Sequence, residues 1–167
     1  DRIGVFVDWQ PPALHALAQA LHLTGVQLHG DEPPSEVEEL AKHHSVVKAL
    51  PVKEGFKPES LKKFRAASAI LLERFDPELR GGTGKPWDWN LAREANQYAR
   101  IVLAGGLAAD NVGEAIRIAQ PYAVDVATRI EGVPGKKDAQ LVRELMRAVE
   151  AASKEIADGQ RKIASQG

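Results

Sequence analysis

Short runs of nearly continuous apolar residues recur along the chain. They begin near Ile3 (IGVFV), Gly25 (GVQLH), Val46 (VVKAL), Ala69 (AILLE), Ile101 (IVLAG) and Ala123 (AVDVA). Runs of this kind suit strands covered on both faces, as in a parallel sheet. Helical patterns lie between them. Leu14, Leu17, Ala18 and Leu21 fall at i, i+3, i+4 and i+7 behind Pro11-Pro12, a pair that suits a first helical turn. Ser35-Glu36-Val37-Glu38 reads as a capping box ahead of Leu40. Val112, Ala115, Ile116 and Ala119 form another stripe, with Asp110 as its expected N-cap. Asp138 precedes Leu141, Leu145 and Val149 in the same way.

Strand and helix thus alternate about every 22 residues, with one longer interval, which is the pattern of repeated right-handed βαβ units. An open doubly wound sheet and a TIM (β/α)₈ barrel both fit. No GxGxxG or GxxxxGK[ST] follows the first strand, and the regular repeat favours the barrel. Six units are legible where a barrel has eight. The expectation is therefore six parallel strands in chain order, each followed by a helix and curved as an incomplete barrel. Residues 3–7 and 123–127 would form its edges. Residues 1–150 would make the barrel portion, and residues 151–167, polar and Ala-rich, a helical extension or tail. The chain opens almost directly in a strand and its only methionine is Met146, so it reads as part of something longer.

Composition narrows the function. With 167 residues, 44% of them hydrophobic, the chain can bury a real core. A net charge of -1 and the lack of a basic block argue against nucleic-acid binding. There is no cysteine, so disulfides and thiolate metal sites are excluded. The apolar runs are too short to span a bilayer and no signal peptide is visible. A soluble cytoplasmic protein is the expectation.

In barrels the reacting groups sit at the C-terminal ends of strands. Those ends are Asp8, His29, Glu73, Gly105-Gly106 and Thr128-Arg129, and Gln27 and Lys48 could point into the mouth. Glu73 is the acid–base candidate, because a partly desolvated carboxyl favours its neutral, proton-donating form. The plainer reading pairs it with Arg74 or Arg80. His29, followed by a glycine, could bind substrate or serve structure. Gly105-Gly106 exposes backbone N–H groups that can cradle a phosphate. Thr128 and Arg129, in the next loop, would add a hydroxyl and a cation. His43-His44 reads as a solvated helix end, and His15 and His22, seven apart, as a poor metal pair. No metal and no cofactor is expected. Trp87 and Trp89 suit packing better than stacking on bases.

Taken together, GVFVD, GVQLHGDE, VVKAL, LLE followed by GGTGKPWDW, IVLAGGL and VDVATRIEGVPGKKD resemble the phosphoribosylanthranilate isomerase family of tryptophan biosynthesis. The resemblance runs from about Arg2 to Val149. It implies a metal-free, cofactor-free (β/α)₈ barrel and a small phosphorylated substrate. The implied reaction is the Amadori rearrangement of N-(5-phosphoribosyl)anthranilate to 1-(2-carboxyphenylamino)-1-deoxyribulose 5-phosphate. A general acid opens the ribose ring to a Schiff base, and a general base then removes the C2 proton. On this resemblance Glu73 takes the position of the family's aspartate acid and His29 matches an active-site histidine. The GGTG stretch with Gly82 matches the loop over the mouth. Gly105, Gly106, Thr128 and Arg129 match the phosphate-binding region.

The departures are equally specific. The family's base is a cysteine on its first strand, and this chain has none. By register, residues 3–7 correspond to the third strand, so the first two βα units are unmatched, as is an arginine after the second strand. Glu stands for Asp at position 73, and Ala127-Thr128-Arg129 stands where relatives often carry Ser-Ser-Gly. The leading reading is an incomplete phosphoribosylanthranilate isomerase, inactive in isolation and able to self-associate through its open edges. The alternatives are a non-catalytic phosphate-binding or assembly module on a degenerate barrel, and a different isomerase or epimerase on the same scaffold.

Overall fold

In the computed structural model, which describes residues 1–74 and 87–164, six parallel strands hydrogen-bond in chain order. They are β1 (Ile3–Phe6), β2 (Gly25–Leu28), β3 (Ser45–Val52), β4 (Ala69–Arg74), β5 (Ile101–Leu103) and β6 (Ala123–Val124). Each begins within a residue of the expected position, and β1 and β6 are the two edges. The helices are α1 (Pro11–Ala20), α2 (Pro34–Ala41), α3 (Trp89–Ala95), α4 (Val112–Ala119) and α5 (Ala139–Ala164). Helix α5 continues past Glu150 without a break.

Two features depart from a strict strand–helix repeat. Between β3 and β4 the connection is a 3₁₀ segment, Pro58–Phe64, with Leu61 and Phe64 both buried. Residues three apart eclipse in 3₁₀ geometry, so this pair anchors the segment without a longer helix. After β6 come a 3₁₀ turn, Thr128–Ile130, and a small hairpin of β7 (Glu131–Val133) and β8 (Lys136–Lys137) before α5 begins.

The sheet is apolar on both faces. On one side Phe6, Leu28, Ile70 and Leu103 pack against Leu14, Val37 and Ala115 from the helices. On the other, Ala49, Leu71 and Ala104 form a smaller cluster with Val47 and Val102. A cavity of about 360 Å³ is lined by Ile3, Gln27, Val47, Leu71, Val102 and Asp125, drawn from β1 through the end of β6. The sheet therefore curls around this second face as barrel strands do. Along β1 the same face is open, with Val5 61% exposed.

Several local expectations change. Pro33, not Ser35, is the N-cap of α2, and no side-chain cap bond forms there; Pro34 already occupies the first turn and draws Ser35 inside the helix. Asn111, not Asp110, is the N-cap of α4. Its amide instead clamps the preceding loop: Oδ1 accepts from the Ala108 N–H at 2.9 Å and Nδ2 donates to the Gly106 carbonyl at 3.0 Å. Asp138 does cap α5, accepting from the N–H groups of Gln140 and Leu141.

Lys48 points away from the inner face. It is 1% exposed on the helix side, where Nζ donates to Glu32 Oε2 at 2.7 Å and to the Gly30 carbonyl at 2.6 Å. Glu32 also accepts the backbone N–H groups of Asp8 and Gly30. Burial opposes ionisation of Glu32, but Lys48 and these N–H donors outweigh it and hold the carboxyl below its ordinary value. Asp8, at φ 53°, accepts the Asp31 N–H at 2.7 Å. Only a glycine fits at position 30, because a Cβ there would collide with the Asp8 carboxylate. A buried ion pair thus ties together the loops that leave β1 and β2.

Candidate active site

Parallel register decides which side chains share the mouth. Gln27 lies on β2 opposite Val47, and Glu73 lies on β4 opposite Pro51. His29 follows β2 directly, and its backbone N–H still donates to the Phe6 carbonyl at 2.8 Å, which holds the strand direction one residue further. Gln27 and His29, two apart, therefore face the same way. Their side chains meet, with Gln27 Nε2 2.9 Å from His29 Nδ1. His29 Nε2 lies 2.7 Å from Glu73 Oε1, and both side chains are about 30% exposed, at 30% and 29%.

Among the described residues Glu73 pairs with His29, and Arg80, one of the expected partners, lies outside them. The amide of Gln27 donates to Nδ1, which leaves Nε2 to carry the proton toward Glu73. The hydrogen bond to Glu73 raises the His29 pKa above its ordinary value. Burial and Lys48 work against it, and the negative charges of Glu73 and Asp125 work with it.

Asp125 is the residue that sequence reading missed. It lies just past β6, and its N–H donates to the Leu103 carbonyl at 2.9 Å, continuing the ladder. Ala123 pairs with Val102, so Asp125, two residues on, faces the same interior as Leu71 and Gln27. The signal was the alternation in Ala123-Val124-Asp125-Val126, where one polar residue interrupts an apolar run. The residue is open to solvent on one side, yet protein crowds its carboxyl. That crowding raises its pKa; His29 and Lys137 pull it down and Glu73 pushes it up. Glu73, His29 and Asp125 form one electrostatically coupled group.

The two glycine-loop candidates also come together. Gly105 and Gly106 adopt φ 88° and 71°, conformations that favour glycine. A Cβ at Gly105 would stand 3.0 Å from the backbone nitrogen of Arg74, so the loop packs directly on the end of β4 beside Glu73. Arg129 Nη2 donates to Asp110 Oδ2 at 3.2 Å and bridges the loops that follow β5 and β6. Thr128 opens the 3₁₀ turn in the second of these loops. Gly82 and the rest of the GGTG stretch lie outside the described residues. Trp89 is buried in the core and Trp87 packs against it, its Nε1 3.4 Å from the Ala104 carbonyl. Among the described residues no group of three or more His, Asp or Glu side chains stands in metal-ligating geometry.

A family model described as N-(5'-phosphoribosyl)anthranilate (PRA) isomerase matches residues 1–148. The chain belongs to the phosphoribosylanthranilate isomerase family. It is 41% identical over 145 residues to the N-(5'-phosphoribosyl)anthranilate isomerase of Geobacter sulfurreducens, a match covering 87% of this chain and 70% of that one. Its fold is similar to the crystal structure of phosphoribosyl anthranilate isomerase from Thermotoga maritima, with a TM-score of 0.82 and 36% identity over 90% of this chain and 73% of the other. Another isomerase of the family, solved in complex with reduced 1-(o-carboxyphenylamino)-1-deoxyribulose 5-phosphate, superposes with a TM-score of 0.76 at 32% identity, covering 90% of this chain and 71% of that one. The α/β architecture with a parallel sheet is thus that of the isomerase family.

Proposed function

We propose that this chain carries the acid half and the phosphate half of a phosphoribosylanthranilate isomerase site. The reaction is the Amadori rearrangement of N-(5-phosphoribosyl)anthranilate in tryptophan biosynthesis. The observation that carries this reading is the 2.7 Å contact between His29 and Glu73 at the C-terminal ends of β2 and β4, in a chain of that family. Glu73 gives its proton to the ribose ring oxygen as the ring opens to a Schiff base. His29 orients the carboxyl through its Nε2–H, and Gln27 fixes the tautomer that makes this hydrogen bond. Asp125, whose pKa burial raises above its ordinary value, acts on both electrostatically. The substrate phosphate binds the N–H groups of Gly105 and Gly106, with Thr128 and Arg129 closing the other side. Gly82 contributes from the loop after β4.

The six strands take the places of the third to eighth strands of the family barrel. The family's cysteine base belongs to the first strand, and no cysteine occurs in this sequence. The 167 residues by themselves would therefore turn over substrate poorly; a non-catalytic phosphate-binding role is the second reading, and a cysteine-bearing strand ahead of Asp1 would decide against it. The test is a fusion that adds the first two βα units of a family isomerase ahead of Asp1. In that fusion Glu73→Gln should lower turnover by about 10²–10⁴-fold, while Glu73→Asp retains activity. Turnover is followed by the loss of anthranilate-linked fluorescence, and circular dichroism checks the fold. An unchanged rate in Glu73→Gln would remove Glu73 from the acid role.

A further inference from the structure

The two peptide groups that flank His29 are held from beneath the mouth. The N–H of the Leu28–His29 peptide donates to the Phe6 carbonyl at 2.8 Å, and its carbonyl, on Leu28, accepts from Lys48 Nζ at 3.4 Å. The N–H of the next peptide, on Gly30, donates to the two carboxylate oxygens of Glu32 at 3.1 and 3.0 Å. Lys48 Nζ also donates to the Gly30 carbonyl at 2.6 Å and to Glu32 Oε2 at 2.7 Å. An ammonium has three donors, and here all three are directed at the stretch from Leu28 to Glu32.

We infer that Lys48 and Glu32 are positioning residues for His29: they fix the backbone on either side of it and thereby set its 2.7 Å contact with Glu73. The bearing of this on turnover rests on the reading of Glu73 as the acid. Both side chains are 1% exposed, so neither touches substrate. Once the flanking peptides are fixed, only the two side-chain torsions of His29 remain, and Gln27 and Glu73 engage one ring nitrogen each. Stability alone gives little reason for the ion pair, since apolar residues of similar volume often serve a core as well or better. Apolar residues cannot grip two peptide groups by their polar atoms. Glu32 also accepts the Asp8 N–H at 2.9 Å, so the same carboxylate ties the loop after β1 to the backbone beside His29.

Charge and position predict opposite signs. The Glu73 hydrogen bond is the main cause that raises the His29 pKa; burial and the Lys48 charge lower it, and the charges of Glu73 and Asp125 raise it. Losing the Lys48 charge alone would therefore move the His29 midpoint up. Losing the grip on its backbone loosens the Glu73 contact and moves the midpoint down.

The test is an NMR pH titration of the His29 ring in the intact chain. Lys48→Met is one variant. Lys48→Met/Glu32→Gln is the second; it leaves no buried charge unmatched, and its amide oxygen can still accept the Asp8 and Gly30 N–H groups. The midpoint should fall below that of the parent in both. Leu40→Ala, which thins the core near the C-terminal end of α2, should leave the midpoint in place. In the fusion with the first two βα units, the double variant should lower kcat at least about tenfold, as small misplacements of reacting groups do, with KM changed less than about threefold. A midpoint that rises or stays in the Lys48 variants, or falls equally in Leu40→Ala, would overturn the positioning role. So would an unchanged kcat in the double variant where Glu73→Gln abolishes turnover. The titration reads the contact without turnover, so it decides the positioning role even if Glu73→Gln removes Glu73 from the acid role.

Discussion

His29 and Glu73 illustrate how little separates a structural pair from a reacting one. A hydrogen bond of 2.7 Å between half-buried groups fixes both side chains, and the proposed acid role would draw on the same contact. The direction of the His29 shift gives a testable sign. A histidine whose pKa is raised on folding stabilises the fold fully below its unfolded value of 6.5, and that contribution fades as pH rises through the raised folded value. Ring-carbon resonances of His29 followed by NMR should therefore titrate above 6.5. In Glu73→Gln, where the main cause is gone, the midpoint should drop. A midpoint that stays in place would show that Glu73 does not set the charge of His29. The pair was only partly legible in the sequence. Each residue stood at a strand end and could be suspected singly, but they are 44 positions apart and only the parallel register brings them together. Asp125 was hidden for the opposite reason, since a single acid inside AVDVA reads as a blemish in a strand until the neighbouring strand shows which way it faces.

At the scale of elements, strands were easy to read and caps were not. A strand buried on both faces writes its whole length in apolar residues, so all six were visible. The β7–β8 hairpin, with strands of three and two residues, mostly charged or glycine, has no period to detect. Nor could the apolar pattern tell which way Lys48 points, because its stem packs like an aliphatic chain while its head finds Glu32. The ion pair between β3 and the loop after β2 makes a strong prediction. Lys48→Met leaves Glu32 buried with its charge unmatched, which should cost about 3–5 kcal/mol in urea unfolding at neutral pH. The depressed carboxyl of Glu32 also makes the parent chain acid-sensitive. Its stabilisation is present above the unfolded value near 4.5 and is lost as pH falls through the lower folded value. Lys48→Met should therefore show a weaker dependence on pH below 4.5 than the parent, and equal slopes would mean that the pair is not what fails in acid.

The described residues form a curled parallel sheet with β1 and β6 at its edges, and each edge presents backbone groups able to pair with another chain. Along β1 the inner-face residues Ile3, Val5 and Val7 are each more than half exposed, and Tyr122 beside β6 is 67% exposed. The 167-residue chain alone should accordingly self-associate with rising concentration in sedimentation velocity. Val5→Lys puts a charge on that face and should shift the distribution toward monomer, while unfolding stability changes by no more than about 0.5 kcal/mol. If Val5→Lys associates as the parent does, β1 is not the contact.

The Lys48–Glu32 clip also sets how this chain meets electrophiles. A lysine amine reacts with acylating agents only when it is open to solvent, and Lys48 is not: its head is enclosed and engaged with the Leu28 and Gly30 carbonyls and with Glu32. It can be modified only in the moments when the segment Gly30-Asp31-Glu32 lifts away. That segment directly follows His29, so the rate at which Lys48 is acylated is a clock for how often the mouth loses its shape. Lys48 lies outside the proposed chemistry, but it records the opening of the loop on which that chemistry depends.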